Sequence, residues 1–120
     1  MRAIQVTLQQ AILNKANGRI NFTYYLKESG KTKRYIVSIC EIYKGPNASL
    51  QTNLLTEINK AISNASYDSI GGWYNEEENL YCLDANIHLN DIVQAKLIAA
   101  ANLQVAIYDN FENKIIYIND

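Results

Sequence analysis

The chain has 120 residues, 48% of them apolar and 19% charged, with a net charge of −1 and a pI near 5.8. That is enough to bury one hydrophobic core but not two, and it lies far from the low-hydrophobicity, high-charge regime of disordered chains, so residues 1–120 read as a single folded domain. No apolar run approaches the roughly 20 residues a bilayer-spanning helix needs, and the pI is far below that of a dedicated DNA-binding domain, so neither a membrane nor nucleic acid is expected as a partner.

In chain order, Arg2 to Val6 reads as a short strand. Thr7-Leu8-Gln9-Gln10 then has the form of a capping box, with Leu8, Ala11, Ile12 and Ala16 on one helical face and Gly18 as the stop. From Ile20 the period becomes two: Ile20, Phe22, Tyr24 and Leu26 alternate with Asn21, Thr23, Tyr25 and Lys27. A turn at Ser29-Gly30-Lys31 leads to a partner strand from Lys33 to Tyr43. Tyr35, Val37 and Ile39 take one face of it and Ile36, Cys40 and Ile42 the other, which predicts apolar groups on both faces.

Gly45-Pro46-Asn47 breaks that strand, and Asn47 or Ser49 caps a helix whose apolar stripe is Leu50, Leu54, Ile58, Ala61, Ile62 and Ala65. Ile70 to Tyr74 and Asn79 to Leu83 flank the acidic turn Asn75 to Glu78 as a second hairpin. Asn90-Asp91 caps a helix through Val93, Leu97 and Ala100 that ends near Asn102. Val105 to Tyr108, a turn at Asp109-Asn110 and Lys114 to Ile118 complete the chain, and no repeat or linker interrupts it. The fold class is therefore α+β: antiparallel β-hairpins forming a sheet packed by two or three helices.

Cys40 and Cys82 sit in apolar strand-like runs and read as buried free thiols. With His88 the single histidine, neither a metal cluster nor a cofactor is implied. The start, MRAIQVTLQQ, is interrupted by polar residues where a signal peptide is apolar, which points to the cytoplasm. Fifteen asparagines make the N-x-S/T matches at Asn21, Asn47 and Asn64 chance occurrences.

The net charge conceals an asymmetry. Residues 1–44 carry eight Lys/Arg and two acids, a charge of +6, whereas residues 45–120 carry three Lys and ten acids, a charge of −7. The two halves can neutralise one another across the fold, or Arg19, Lys31, Lys33 and Arg34 can surround a phosphate-bearing ligand, with the planar arginine forks gripping it. Nine tyrosines and one tryptophan supply rings that could stack on a base. Trp73 and Tyr81 read as cross-strand core partners, leaving Tyr24, Tyr25 and Tyr74 as surface candidates. The helix starts at Asn47 to Leu50 and Asn90 to Val93 offer free N–H groups, a generic anion signal, and there is no phosphate-cradling glycine loop. His88, oriented by Asp84 or Asp91, is the one candidate for acid–base work, and its bland reading is a surface or capping residue.

Gly71-Gly72-Trp73, then Leu83-Asp84, then a helix running into Gln104-Val105-Ala106-Ile107-Tyr108-Asp109 resemble a pattern of small phage and prophage proteins, from Gly71 to the C-terminus. In size and strand–helix order the chain is similar to the Thoeris anti-defence sponge family, whose members sequester cyclic ADP-ribose-type immune signals without degrading them. None of that family's ligand-binding residues is matched to a position here. The resemblance implies a non-enzymatic, cytoplasmic protein, in the host cell if phage-encoded, that captures a nucleotide-derived small molecule in a basic, aromatic-lined pocket as a homodimer or higher homo-oligomer.

The expected ligand-binding residues are Arg19 and Arg34 on phosphates and Tyr24 and Tyr74 on the base, with no catalytic residues. The alternative is a protein-interaction module that inhibits a host defence or restriction enzyme through its acidic half. A small hydrolase using His88 is the third reading.

Overall fold

The computed structural model describes residues 8–46 and 53–119. The strand expected at Arg2 to Val6, the capping residue Thr7 and the helix start at Asn47 to Leu50 lie outside these residues. The elements are α1 (Leu8–Asn17), β1 (Phe22–Tyr25), a 3-10 helix (Glu28–Thr32), β2 (Tyr35–Gly45), α2 (Leu54–Ser63), β3 (Ser69–Asn75), β4 (Leu80–Leu89), α3 (Ile92–Ala101), β5 (Ala106–Asp109) and β6 (Lys114–Tyr117). The strands form one sheet in the order β1-β3-β4-β2-β5-β6, with every pairing antiparallel. This is the α+β architecture that the hydrophobic periods imply.

One pairing departs from the sequence reading. β1 and β2 do not form a hairpin: β1 pairs with β3, and two strands separate it from β2. The segment read as their turn, Ser29 to Lys31, lies within the 3-10 helix, which carries the chain across the end of the sheet.

The second departure concerns β2. Ser38/Cys40 and Glu41/Tyr43 mark two bulges in its register with β4. Each bulge sets two residues against one, so each exchanges the face that the following side chains take. Tyr35 and Val37 therefore share a face with Cys40 and Tyr43, opposite Leu89, Ile87, Ala85 and Leu83 of β4. The bulges thus bring Tyr35, Val37, Cys40 and Tyr43 onto the helix-covered face, while Ile36 stays on the opposite one.

All three helices lie on that face. α1 and α2 bury Ile12, Ala16, Leu54, Ile58 and Ala61 against Ile70, Tyr81, Leu83 and Ala85. α3 buries Ala95 and Ala99 against Tyr35, Val37 and Ile107. Asp91 caps α3 by accepting from the N–H groups of Val93 and Gln94. The residues that announce α3 in sequence, Val93, Leu97 and Ala100, all point to solvent, Val93 and Leu97 being 64% and 67% exposed.

α1 ends in a Schellman motif, in which the N–H of Ile20 bonds the carbonyl of Lys15 and that of Arg19 the carbonyl of Ala16, both at 3.0 Å. The left-handed residue is Arg19, with φ of 55°, one position beyond the glycine expected to stop the helix. The hydroxyl of buried Tyr81 donates to the carbonyl of Ile20 at 2.6 Å, which ties this helix end to the central strand β4.

The two sheet hairpins share a turn. In β3–β4, Tyr74 donates to Asn79 Oδ1 and Asn75 Oδ1 accepts from the N–H of Glu78. In β5–β6, Tyr108 donates to Asn113 Oδ1 and Asp109 Oδ1 accepts from the N–H groups of Phe111 and Glu112. Asn79 and Asn113 both take positive φ, as asparagine tolerates.

The sheet is strongly curled. Asn110, after β5, donates to the hydroxyl of Tyr25 in β1 at 2.9 Å. Four strand spacings of about 4.8 Å would hold these backbones roughly 19 Å apart in a flat sheet, beyond the reach of the two side chains.

Gly72 shows how closely β3 approaches its neighbours, since a Cβ there would collide with the Tyr81 hydroxyl and the Phe22 ring. Both glycines of the pair have negative φ, so close approach, not an unusual dihedral, is the reason for Gly72. Gly72→Ala is expected to destabilise the protein by about 1–3 kcal/mol, read as a fall in the urea midpoint with the slope unchanged.

Candidate functional site

The curl turns the helix-free face into a trough of about 720 Å³. On β4 this face carries Cys82, Asp84, Asn86 and His88, the positions that alternate with the core residues Leu83 and Ala85. One wall comes from β1 and β3 through Thr23, Gly71 and Trp73; the other comes from β5 and β6 through Tyr108, Ile115 and Tyr117. Ile36 of β2 and Asp84 of β4 form the floor. The volume lies in the range of pockets that enclose a small molecule.

Trp73, opposite Cys82 in the register, is 49% exposed. Only Tyr81 of the expected core pair is buried, facing Tyr74 across the ladder. Strict alternation separates the two rings: Tyr81 goes to the helices and Trp73 to the trough.

Asp84 is the one charged residue lining the trough among the described residues. Gly71 stands opposite it on β3, so that strand puts no side chain over the carboxylate. Asp84 forms no ion pair among the described residues, in contrast to Asp109, whose carboxylate accepts three bonds of 2.7–3.1 Å from Arg34. Burial pushes the Asp84 carboxyl up to about 6; Ser38 and Lys44 hold the rise back and Glu41 adds to it. The Ser38 Oγ is itself buried and outside full hydrogen-bond geometry to any partner among the described residues. A part-buried carboxylate without a cation is an arrangement that a fold built for stability alone avoids.

His88 is 1% exposed inside the sheet, which corrects its reading as a surface or capping residue. Its Nδ1 lies 3.0 Å from the carbonyl of Gly30 in the 3-10 helix and its Nε2 lies 2.7 Å from Ser69 Oγ. Nδ1–H therefore donates to Gly30, and Nε2 accepts from Ser69, whose hydroxyl also receives Asn86 Nδ2 at 3.1 Å. A histidine so oriented could activate a serine, but Ser69 is fully buried and both ring nitrogens are engaged. The group that orients the ring is the Gly30 carbonyl, while Asp91 caps α3. Burial holds the His88 pKa below the usual imidazole value.

The four residues expected to bind ligand fall in separate places. Arg19 and Tyr74 meet: the guanidinium lies 4.9 Å from the ring centroid, donates to its hydroxyl at 3.4 Å and to the carbonyl of Pro46 at 3.2 Å. That places them beyond one end of β2, whereas Arg34 precedes its other end. Arg34 is held by Asp109 and Glu112, between the rings of Tyr35 and Phe111. The Asp109 carboxyl is accordingly drawn down to about 2 by the Arg34 hydrogen bonds. Tyr24 is 40% exposed and faces the helix side, opposite Ile70.

None of the four lines the trough. Lys27 pairs with Asp68, so two of the cations in the basic half, Lys27 and Arg34, are neutralised by acids of the other half. Trp73, Asp84 and Tyr108 stand out in sequence in other contexts, but nothing there places them in one site with Tyr117, because only the curl brings β3, β4, β5 and β6 around one space.

No group of three His, Cys, Asp or Glu side chains among the described residues could hold a metal ion. Cys40 packs with the helix-side core and Cys82 lies on the opposite face, so the two thiols cannot bridge. No helix among the described residues is long and apolar enough to cross a membrane. The chain matches no protein-family model, no curated protein and no solved structure.

Two pH profiles test this electrostatic description. Asp84 has a folded-state pKa of about 6 against 3.8 for a free carboxyl, so its ionised form costs stability as pH rises through that window. Asp84→Asn is expected to gain about 1–3 kcal/mol above pH 6, a gain that vanishes below pH 4. His88 has the opposite sign: its folded pKa is depressed below 6.5, so its contribution is full above that value and is lost as pH falls through the folded pKa. His88→Gln is expected to cost about 2–3 kcal/mol at pH 7.5 and less at pH 5. Each is read as the difference between variant and parent in denaturant melts across pH.

Proposed function

We propose that this chain is a binding protein that holds a nucleotide-derived small molecule in the trough without transforming it, as a phage-type anti-defence protein sequestering an immune signal. The observation that carries the reading is the trough: an open recess large enough for a small molecule, with aromatic rings on both walls and one carboxylate on the floor. Trp73 and Tyr117 are each about half exposed there, which suits stacking on a flat base. The lining pairs no nucleophile with a base among the described residues, which favours capture over turnover.

Arg19 and Arg34 lie outside the trough, and no Lys or Arg lines it among the described residues. Base and sugar are therefore the anchored parts of the ligand, with phosphates toward solvent.

The alternative, docking on a host defence enzyme or on a second copy, is favoured by one observation. α3 is apolar on both sides and leaves Val93 and Leu97 in solvent, continuous in sequence with Leu103 and Val105, which are 92% and 74% exposed.

The deciding experiment incubates the purified protein with cyclic nucleotides and ADP-ribose derivatives, follows the fluorescence of its single tryptophan, and analyses what heat releases. One compound is expected to be depleted from solution, to shift the Trp73 emission and to return intact. Return of an altered compound means an enzyme, and no depletion transfers the function to a protein partner.

A further inference from the structure

The charge of the trough narrows what it can hold. An ionised carboxylate only accepts hydrogen bonds, so the ligand edge that meets Asp84 must donate. Charged and titratable groups around it are few: Glu41 and Lys44 on β2, the Cys82 thiol on its own strand, and the phenols of Tyr108 and Tyr117 across the trough. Lys44 lowers the Asp84 pKa from a distance without forming an ion pair, and β3 contributes only Gly71 beside the carboxylate. Two oxygens in a plane, approached from an open side, match two parallel N–H groups.

Resting on the reading of the trough as a nucleotide-type site, we propose that Asp84 reads an amidine-type edge, so that the preferred ligand carries two N–H donors on nitrogens that share one carbon, as guanine does, with its ring against Trp73. Guanine presents its ring N–H and its exocyclic amine side by side, and a carboxylate accepts from both. Adenine and cytosine set an acceptor nitrogen beside their amine, and that acceptor faces the carboxylate oxygens with like charge. Uracil offers one donor between two acceptors. A phosphate finds no cation on this floor.

The test is calorimetric titration of the full chain with guanosine, adenosine, cytidine and uridine, alongside Trp73 fluorescence, for the parent and Asp84→Asn. That variant keeps the size of the side chain and removes a destabilising charge, so it folds. Guanosine is expected to bind at least about tenfold more tightly than the other three at pH 7.5. Its affinity is expected to fall about tenfold per pH unit once the pH drops below the carboxyl pKa of about 6. Asp84→Asn is expected to lose about 10–100-fold of guanosine affinity. Equal binding of all four nucleosides, or an unchanged guanosine affinity in Asp84→Asn, overturns the assignment of the donor edge and leaves the trough reading standing. Absence of binding and of any fluorescence change with every nucleoside overturns both.

Discussion

Two bulges in β2 place one extra residue each against β4, and the arrangement of both faces of the sheet follows from them. An eleven-residue strand with unbroken alternation would have sent half of its apolar side chains to solvent. Because the face is exchanged twice, Tyr35, Val37, Cys40 and Tyr43 all meet the helices, and α3 and the α1–α2 pair can share a single side of the sheet. Bulges also increase local twist, and a twisted centre lets the outer strands rise on either side of β4. The Asn110–Tyr25 hydrogen bond links the two raised sides, and Asn110 also lines the trough between them.

Local chemistry made much of the fold legible. The asparagines and aspartates of the turns, the Asp91 cap and the change of period at Ile20 all act within a few residues, and the structure places elements where they point. What depended on distant residues was not legible. β1 alternates as a strand does, yet alternation cannot say that its neighbour is β3 rather than β2. Arg34 looks like a phosphate ligand until Asp109, 75 residues away, is seen to occupy its guanidinium. Trp73 reads in sequence as a core ring and Asp84 as a partner of His88, and only the curl joins them to Tyr108 and Tyr117. Arg19 and Tyr74, expected in one site, do meet, but in a surface clasp at the end of the sheet.

Two local choices run against stability. Arg19 holds a left-handed conformation that glycine adopts freely, and it does so where its guanidinium spans Tyr74 and Pro46. Asp84 sits part-buried with no ion pair among the described residues, and Lys44 acts on it only from a distance. Departures of this kind gather at sites that do work, and Asp84 lies within a recess lined by several different strands. The buried His88–Ser69–Asn86 chain, by contrast, is fully satisfied and serves to lock the 3-10 helix to the sheet.

The outer strands of the sheet are β1 and β6, and β6 is a short strand whose Ile115 and Tyr117 are both more than half exposed and both face the trough. An unpaired edge with apolar side chains is a template on which another chain can add a strand. A molecule seated in the trough covers those same two side chains. On the reading proposed above, a ligand seated against Ile115 and Tyr117 would shield the apolar side chains of this edge, so occupancy and self-association would be coupled through β6.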